Sequence, residues 1–472
     1  MHRLIGSLTV LAIVLVTFGI QTSNQGRFRA PETLFATLKA ASLPPSDGQP
    51  VRFEGHQVWR VAIASLTDLA RINTLQDQVP TLDFWTDPRI GRHGVDIRVS
   101  STKGAQEALA AYLSKFSLSY DVFIPDVQHA IEKQLLPPVV AAPHLNSLGD
   151  HQSLLSADAD PTKTYFTKYH PISEINEYLD YLVKEYPHLA EKFSLGKTYE
   201  GRDQWGIKLR APRNEPSSIA KEKKEEWIGP AVVQYILTSL ITSYGKDPAL
   251  AHILDSFDFT IIPVLNVDGY EYTHTTNRMW RKNRQPNAGN LCVGTDPNRN
   301  WASNWGGDGT TSKNPCSDSY IGTSPFSAPE PKNLANYVTS RNGAVISFID
   351  FHAYSQLWMY PYGAFCDRTA PIHVESAAQR AASALKSVHG KTFAVGSICN
   401  IIYQASGSSV DFAYDTANVT FSYGVELRDQ GLYGFLLPPK QIVPSGEETL
   451  AGVVELVGVI EKWLKEDGAM DL

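Results

Sequence analysis

The sequence predicts a small α+β domain followed by a larger α/β domain, whose mixed, mostly parallel sheet is covered by helices on both faces. Three observations carry this. The chain has 472 residues, 43% hydrophobic and 19% charged, enough for two buried cores. A compact strand–helix–strand–strand–helix–strand pattern occupies the first third, and longer strand and helix patterns alternate through the rest. Between them lies a stretch rich in Pro, Ser, Asp and Ala that reads as a linker.

The chain opens with His2 and Arg3, then an apolar run from Leu4 to Ile20 that turns polar at Gln21. This is the pattern of a secretory signal, placed at 1–22, and no later stretch is apolar enough to span a bilayer. Residues 23–135 form a pro-segment, with the small domain at about 51–135. Val58–Ala64 alternates, Leu66–Leu75 has helical spacing, Leu82–Trp85 and Val95–Val99 are extended, Ala105–Phe116 is helical and Tyr120–Ile124 is extended. That order is the ferredoxin-like arrangement. It holds no cluster of His, Cys or carboxylates, so it reads as a packing, inhibitory or folding module. The linker, 136–163, runs from Pro137-Pro138 to Pro161-Thr162-Lys163, and exposed segments of this composition are preferred sites of proteolytic cleavage.

The larger domain spans 164–472. Ser173 is the expected cap of a helix that carries Ile175, Leu179 and Leu182 on one face. Strands are expected at Phe193–Thr198, Trp205–Leu209, Phe257–Leu265 and Ala344–His352. Helices are expected at Ile228–Tyr244, Ile372–Val388 and Glu447–Lys465. A net charge of −7 excludes the clustered basic surface that nucleic-acid binding requires. In an exported chain the four cysteines read as two disulfides, with sequence neighbours pairing Cys292 with Cys316 and Cys366 with Cys399. Asn418-Val419-Thr420 is an N-glycosylation acceptor.

Five segments place reactive residues beside turns and aromatic side chains, where sites are usually found. They are Trp280-Arg281-Lys282-Asn283-Arg284, Asp296-Pro297-Asn298-Arg299-Asn300-Trp301, Phe351-His352-Ala353-Tyr354-Ser355-Gln356, Ile402-Tyr403-Gln404-Ala405-Ser406-Gly407 and Val425-Glu426-Leu427-Arg428-Asp429. In this order and spacing they closely resemble the zinc metallocarboxypeptidase A family, from about Thr164 to the C-terminus. The upstream domain resembles that family's activation domain.

The resemblance implies the carboxypeptidase fold, one zinc ion, and a monomeric secreted proenzyme cut at its linker by an activating protease. It implies peptide or protein C-termini as substrate, with no nucleic acid and no membrane contact after signal removal. Glu226 and His352 would be metal ligands, and zinc would polarise the scissile carbonyl and acidify a bound water. Glu426 would be the general base and Arg281 would bind substrate and stabilise the oxyanion. Asn298 and Arg299 would hold the substrate carboxylate, for which a forked guanidinium is suited. Tyr354 would also line the substrate site, and Tyr403 would be a lid. Val410 would form the base of an apolar specificity pocket. Asp411 corresponds to an acid common to the family, so it is not expected to select basic residues.

One element departs from that pattern. The family's first ligands are spaced His-x-x-Glu before a Trp. Here Glu226-Trp227 is preceded by Lys223, and no histidine lies between His188 and His252. The stretch from Ala211 to Glu225 is polar and charged where a buried strand is expected, so a core strand is expected to be absent. Asp296, a support for the missing histidine, is expected to pair with Lys223. Three readings stay open: an active exopeptidase for apolar or aromatic C-terminal residues whose transcript restores the missing piece, an inactive pseudopeptidase that binds peptide C-termini, and a product that does not fold stably.

Overall fold

The computed structural model describes residues 32–41, 49–79, 82–86, 88–102, 104–135, 164–211, 218–222, 226–307, 311–341 and 343–466. The expected signal sequence at 1–22, the expected linker at 136–163 and Lys223 lie outside the described residues.

In the first part, β1 (Gln57–Ile63), β2 (Asp83–Phe84), β3 (Gly91–Val99) and β4 (Tyr120–Ile124) form one sheet in the order β2-β3-β1-β4. β1 pairs antiparallel with β3 and β4, and β2 antiparallel with β3. Helices Leu66–Gln78 and Ala105–Lys115 bury Ile72, Leu75, Leu109 and Leu113 in a core shared with Val61, Val95 and Ile97. Ser65 caps the first helix, its hydroxyl accepting from the Asp68 amide at 3.1 Å. A further helix, Val127–Leu135, leads toward the linker.

The second part is built on eight strands: β5 (Ala190–Lys197), β6 (Asp203–Leu209), β7 (Ser218–Glu222), β8 (Asp258–Ile261), β9 (Val345–His352), β10 (Leu357–Tyr360), β11 (Ala394–Ser397) and β12 (Phe421–Glu426). Their order is β11-β10-β12-β9-β7-β8-β6-β5. The central run β12-β9-β7-β8 is parallel, as is β10 with β11, and the other pairs are antiparallel. The helix Ile228–Ser243 is buried almost throughout, and Ile442–Glu466 packs against it. The expected disulfides, Cys292–Cys316 and Cys366–Cys399, both form.

Three expectations are corrected. The core strand expected to be absent is present: β7 lies between β8 and β9 and pairs with both. Sheet hydrogen bonds are made by the backbone, and two flanking parallel edges need a partner whatever side chains that partner carries. The stretch Phe257–Leu265 is strand only over Asp258–Ile261, because the chain then turns to the helix that Asn266 caps with its side chain. Ser173 is not a cap. Its helix starts at Ile172 after Pro171, whose fixed φ already suits the entry and whose carbonyl accepts from the Ile175 amide.

Candidate active site

Two neighbouring parallel strands end side by side at reactive residues, with His352 of β9 in register with Glu426 of β12. Carboxyl ends of parallel strands are where open α/β sheets place their crevices. Glu226 joins them from the turn that leads into helix Ile228–Ser243. Arg281, Asn298 and Arg299 come from the long connection after β8, and Tyr403 and Val410 from the segment around helix Ser409–Asp415. With Tyr354, all nine residues line one cleft of about 790 Å³ that opens to solvent. The turn that carries Ser408 past Arg299 needs a glycine: Gly407 has φ +69, and a Cβ there would stand 2.5 Å from the Arg299 carbonyl oxygen.

At one end of the cleft, Glu226 Oε2 lies 3.3 Å from His352 Nδ1 and accepts the Ala353 amide at 2.8 Å. Burial alone would lower the His352 pKa, but the facing carboxylates of Asp350 and Glu226 outweigh it and hold the imidazole well above its ordinary value. Burial first, then the charge of Glu226, pushes the Glu426 carboxyl up to about 8 against the opposing pull of His352 and Arg281. The Oε2 atom of Glu426 is buried without a hydrogen-bond partner.

Beside them, Arg281 donates to Asp296 Oδ2 from Nε at 3.2 Å and from Nη2 at 3.0 Å. Asp296 also accepts the Asn298 amide, so one buried carboxylate fixes both the arginine and the following turn. Asp296 thus has Arg281 as a partner, while Lys223 lies outside the described residues. Arg299 sits 5.7 Å from the Tyr403 ring centroid and reaches its hydroxyl at 3.4 Å. Below them Met359, Ile398, Ile402, Val410 and Gly424 form an apolar floor. Asp411 does not line this floor; it accepts the Gly363 and Ala364 amides, and burial raises its carboxyl to about 6.

The first part of the chain closes the cleft from above. Trp85, Thr86 and Arg89 line it, and the Trp85 ring lies 5.3 Å from that of Phe435. The Tyr354 hydroxyl donates to Asp96 at 2.5 Å, and Arg60 grips the same carboxylate with two bonds of 2.6 and 2.7 Å. Gln134, at the end of its helix, donates to the Leu437 carbonyl and accepts from Arg278 Nε.

A catalytic zinc ion takes three protein ligands and leaves one position open. Glu226 and His352 supply two donors that converge. Among the described residues, no group of three His, Cys, Asp or Glu side chains is arranged to hold a metal ion. The donors among the described residues therefore do not complete a zinc site. Asp350 is the site residue the sequence reading missed. Its signal was its place two residues before His352 in a strand, which puts both side chains on one face.

Residues 175–452 match the sequence profile of zinc carboxypeptidase, and residues 59–134 that of the carboxypeptidase activation peptide. Mouse (Mus musculus) carboxypeptidase A2 is 39% identical over 376 residues, which cover 79% of this chain and 85% of the relative. Human (Homo sapiens) carboxypeptidase A1 is 36% identical over 414 residues, 86% of this chain and 94% of the relative. Among solved structures, thrombin activatable fibrinolysis inhibitor superposes with a TM-score of 0.75 at 28% identity, covering 87% of this chain and 100% of that one. Carboxypeptidase A from Helicoverpa armigera gives 0.76 at 27% identity, covering 88% and 99%.

Proposed function

Because the chain belongs to the zinc carboxypeptidase family and carries an activation peptide ahead of its enzyme part, we propose that it is a secreted proenzyme of the A type, whose freed cleft takes peptides by their C-terminus and releases an apolar or aromatic last residue. The observation that carries this reading is the convergence of Arg281, Asn298, Arg299, Tyr403 and Glu426 over the apolar floor at Val410. Arg299 and Asn298 meet the terminal carboxylate with charge-assisted and amide hydrogen bonds. The floor has no charged residue among its lining side chains, so a basic last residue would be buried without a counter-ion. Glu426, with its Oε2 unpartnered in the cleft wall, takes a proton from the attacking water and returns it to the leaving amine. Arg281, fixed by Asp296, keeps a positive charge beside the reacting carbonyl.

One observation favours a second reading, an inactive site that binds peptide ends without cutting them. Lys223 stands where a histidine ligand belongs, and the described donors number two. The decisive experiment uses linker-cleaved protein and a transcript read across the codons for Pro212 to Pro230. It measures zinc per chain, release of C-terminal Phe or Leu, and peptide affinity. One zinc per chain with release supports the exopeptidase. One zinc without release sinks it. Peptide binding without zinc or release supports the second reading, and loss of all three removes both.

A further inference from the structure

We infer that Asp411 is a positioning residue for the Tyr403 lid, acting from behind the cleft by holding the turn at 361–366 onto which the lid segment is fastened. The inference deepens the proposed function and rests on it, since it takes Tyr403 as the side chain that closes over a bound chain end. Asp411 lies in the helix Ser409–Asp415, one residue after the floor residue Val410, and is buried. Its carboxylate accepts the Gly363 amide, at 2.9 Å to Oδ1 and 3.1 Å to Oδ2, and the Ala364 amide at 2.8 Å to Oδ2.

The carbonyls of the same two residues are spent on the lid segment. That of Gly363 accepts the Ala405 amide at 2.9 Å, and that of Ala364 accepts Gln404 Nε2 at 2.9 Å. The residues whose amides Asp411 fixes are therefore the ones that hold the two positions following Tyr403. The approach is close, since a Cβ on Gly363 would stand 3.0 Å from the Ala405 carbonyl oxygen and 3.2 Å from the side chain of Ile398 in the floor. Ahead of Tyr403, the Cys399 amide donates to the Tyr362 carbonyl at 3.0 Å, and Cys399 is bonded to Cys366. The turn thus clasps the lid segment on both sides of Tyr403, whose ring meets Arg299 in the cleft. A carboxylate suits this post because two N–H groups converge on oxygens that only accept; an amide side chain would turn donors of its own toward them. Val410 and Tyr403 are in this way referred to one buried group, which fixes the spacing between floor and lid.

The test is amide hydrogen exchange at single-residue resolution in linker-cleaved protein, at about pH 7.5, where a carboxyl raised to about 6 is ionised. In wild type, the Gly363, Ala364 and Ala405 amides are expected to open as one unit, with matching protection and the same response to dilute denaturant. Unmatched protection overturns the inference without any variant. In Asp411→Asn, Gly363 and Ala364 are expected to exchange roughly 5- to 150-fold faster, with Ala405 following them. In Gln404→Ala, which leaves the carboxylate in place, Ala405 is expected to speed up while Gly363 and Ala364 stay protected. An Asp411→Asn protein in which Ala405 keeps its wild-type rate has lost a local bond and no more, and overturns the inference. Peptide binding adds a separate arm. Asp411→Asn should weaken a Phe-terminated peptide about 5-fold or more when Tyr403 is present and change nothing in a Tyr403→Ala background, a coupling that general loss of stability does not produce. Equal losses in the two backgrounds overturn the lid role. A wild type that binds no such peptide, yet whose Ala405 amide follows Asp411, defeats the proposed function and leaves the positioning role standing.

Discussion

On the proposed function, recognition of a free chain end turns on Arg299. A charge-assisted hydrogen bond contributes about 1.5–3 kcal/mol, so Arg299→Ala should weaken binding of a Phe-terminated peptide roughly 10- to 150-fold. Calorimetry checks this, and the same peptide with an amidated end should bind wild type and variant equally poorly. His274 gives a prediction of another kind. It stacks on Trp227 with ring centroids 4.0 Å apart, and burial, reinforced by Arg278 and His170, drives its pKa down to about 3. The folded protein therefore takes up this proton only near pH 3, while the unfolded chain takes it up near 6.5. The stability that the neutral ring contributes is full above about 6.5 and is lost as pH falls toward 3, on the order of 4–5 kcal/mol across that window. Denaturant melts at stepped pH should show this slope, and His274→Phe should remove its part of it. His56, lowered to about 4 by burial and Arg98, keeps its own contribution.

Among the elements, the helix Val127–Leu135 ends at the most informative contact. Gln134 is buried, and its side chain satisfies Arg278 and the Leu437 carbonyl at once. Gln134→Ala removes two bonds across the join, about 1–3 kcal/mol together, while Tyr169 still donates to the Leu437 carbonyl and Arg278 to that of Phe435, so the two halves of a linker-cut chain should associate roughly 5- to 150-fold more weakly. Surface-immobilised binding of the separated halves measures it. This latch was not legible in the sequence, because it joins residues 303 positions apart and neither end belongs to a motif. The alternating strands and the long helices were legible, since period and length announce them. The nine cleft residues were legible because their order along the chain is itself the signal. β7 was missed for the opposite reason: its charged composition argued against a buried strand, while the need of β8 and β9 for a backbone partner, which overrides composition, leaves no trace in the segment. Asp350 escaped because a lone acid two residues from a histidine reads as ordinary strand alternation.

For the molecule as a whole, the two parts share one carboxylate. Asp96 from the first part takes the Tyr354 hydroxyl of the second, with Arg60 behind it, so the cap is held at the cleft wall itself. Breaking a buried pair of this kind costs on the order of 3 kcal/mol. In the uncut chain, Asp96→Ala should therefore raise peptide affinity by up to about 100-fold toward that of cleaved protein, and leave the cleaved protein unchanged. Affinities measured before and after linker cleavage decide it, and equal affinity of uncut variant and uncut wild type would place the barrier elsewhere.

The eight-stranded sheet is stitched unevenly. Among the described residues, β7 pairs with β9 through five residues, from Ser218 to Glu222, but with β8 through Ser218 and Ile219. Seen as a fabric, the sheet has a short seam near its middle, with β11, β10, β12 and β9 on one side and β8, β6 and β5 on the other. Pulled apart at its ends, the molecule would tear there first, into one piece that keeps His352 and Glu426 together and another that keeps the strand leading to Arg281.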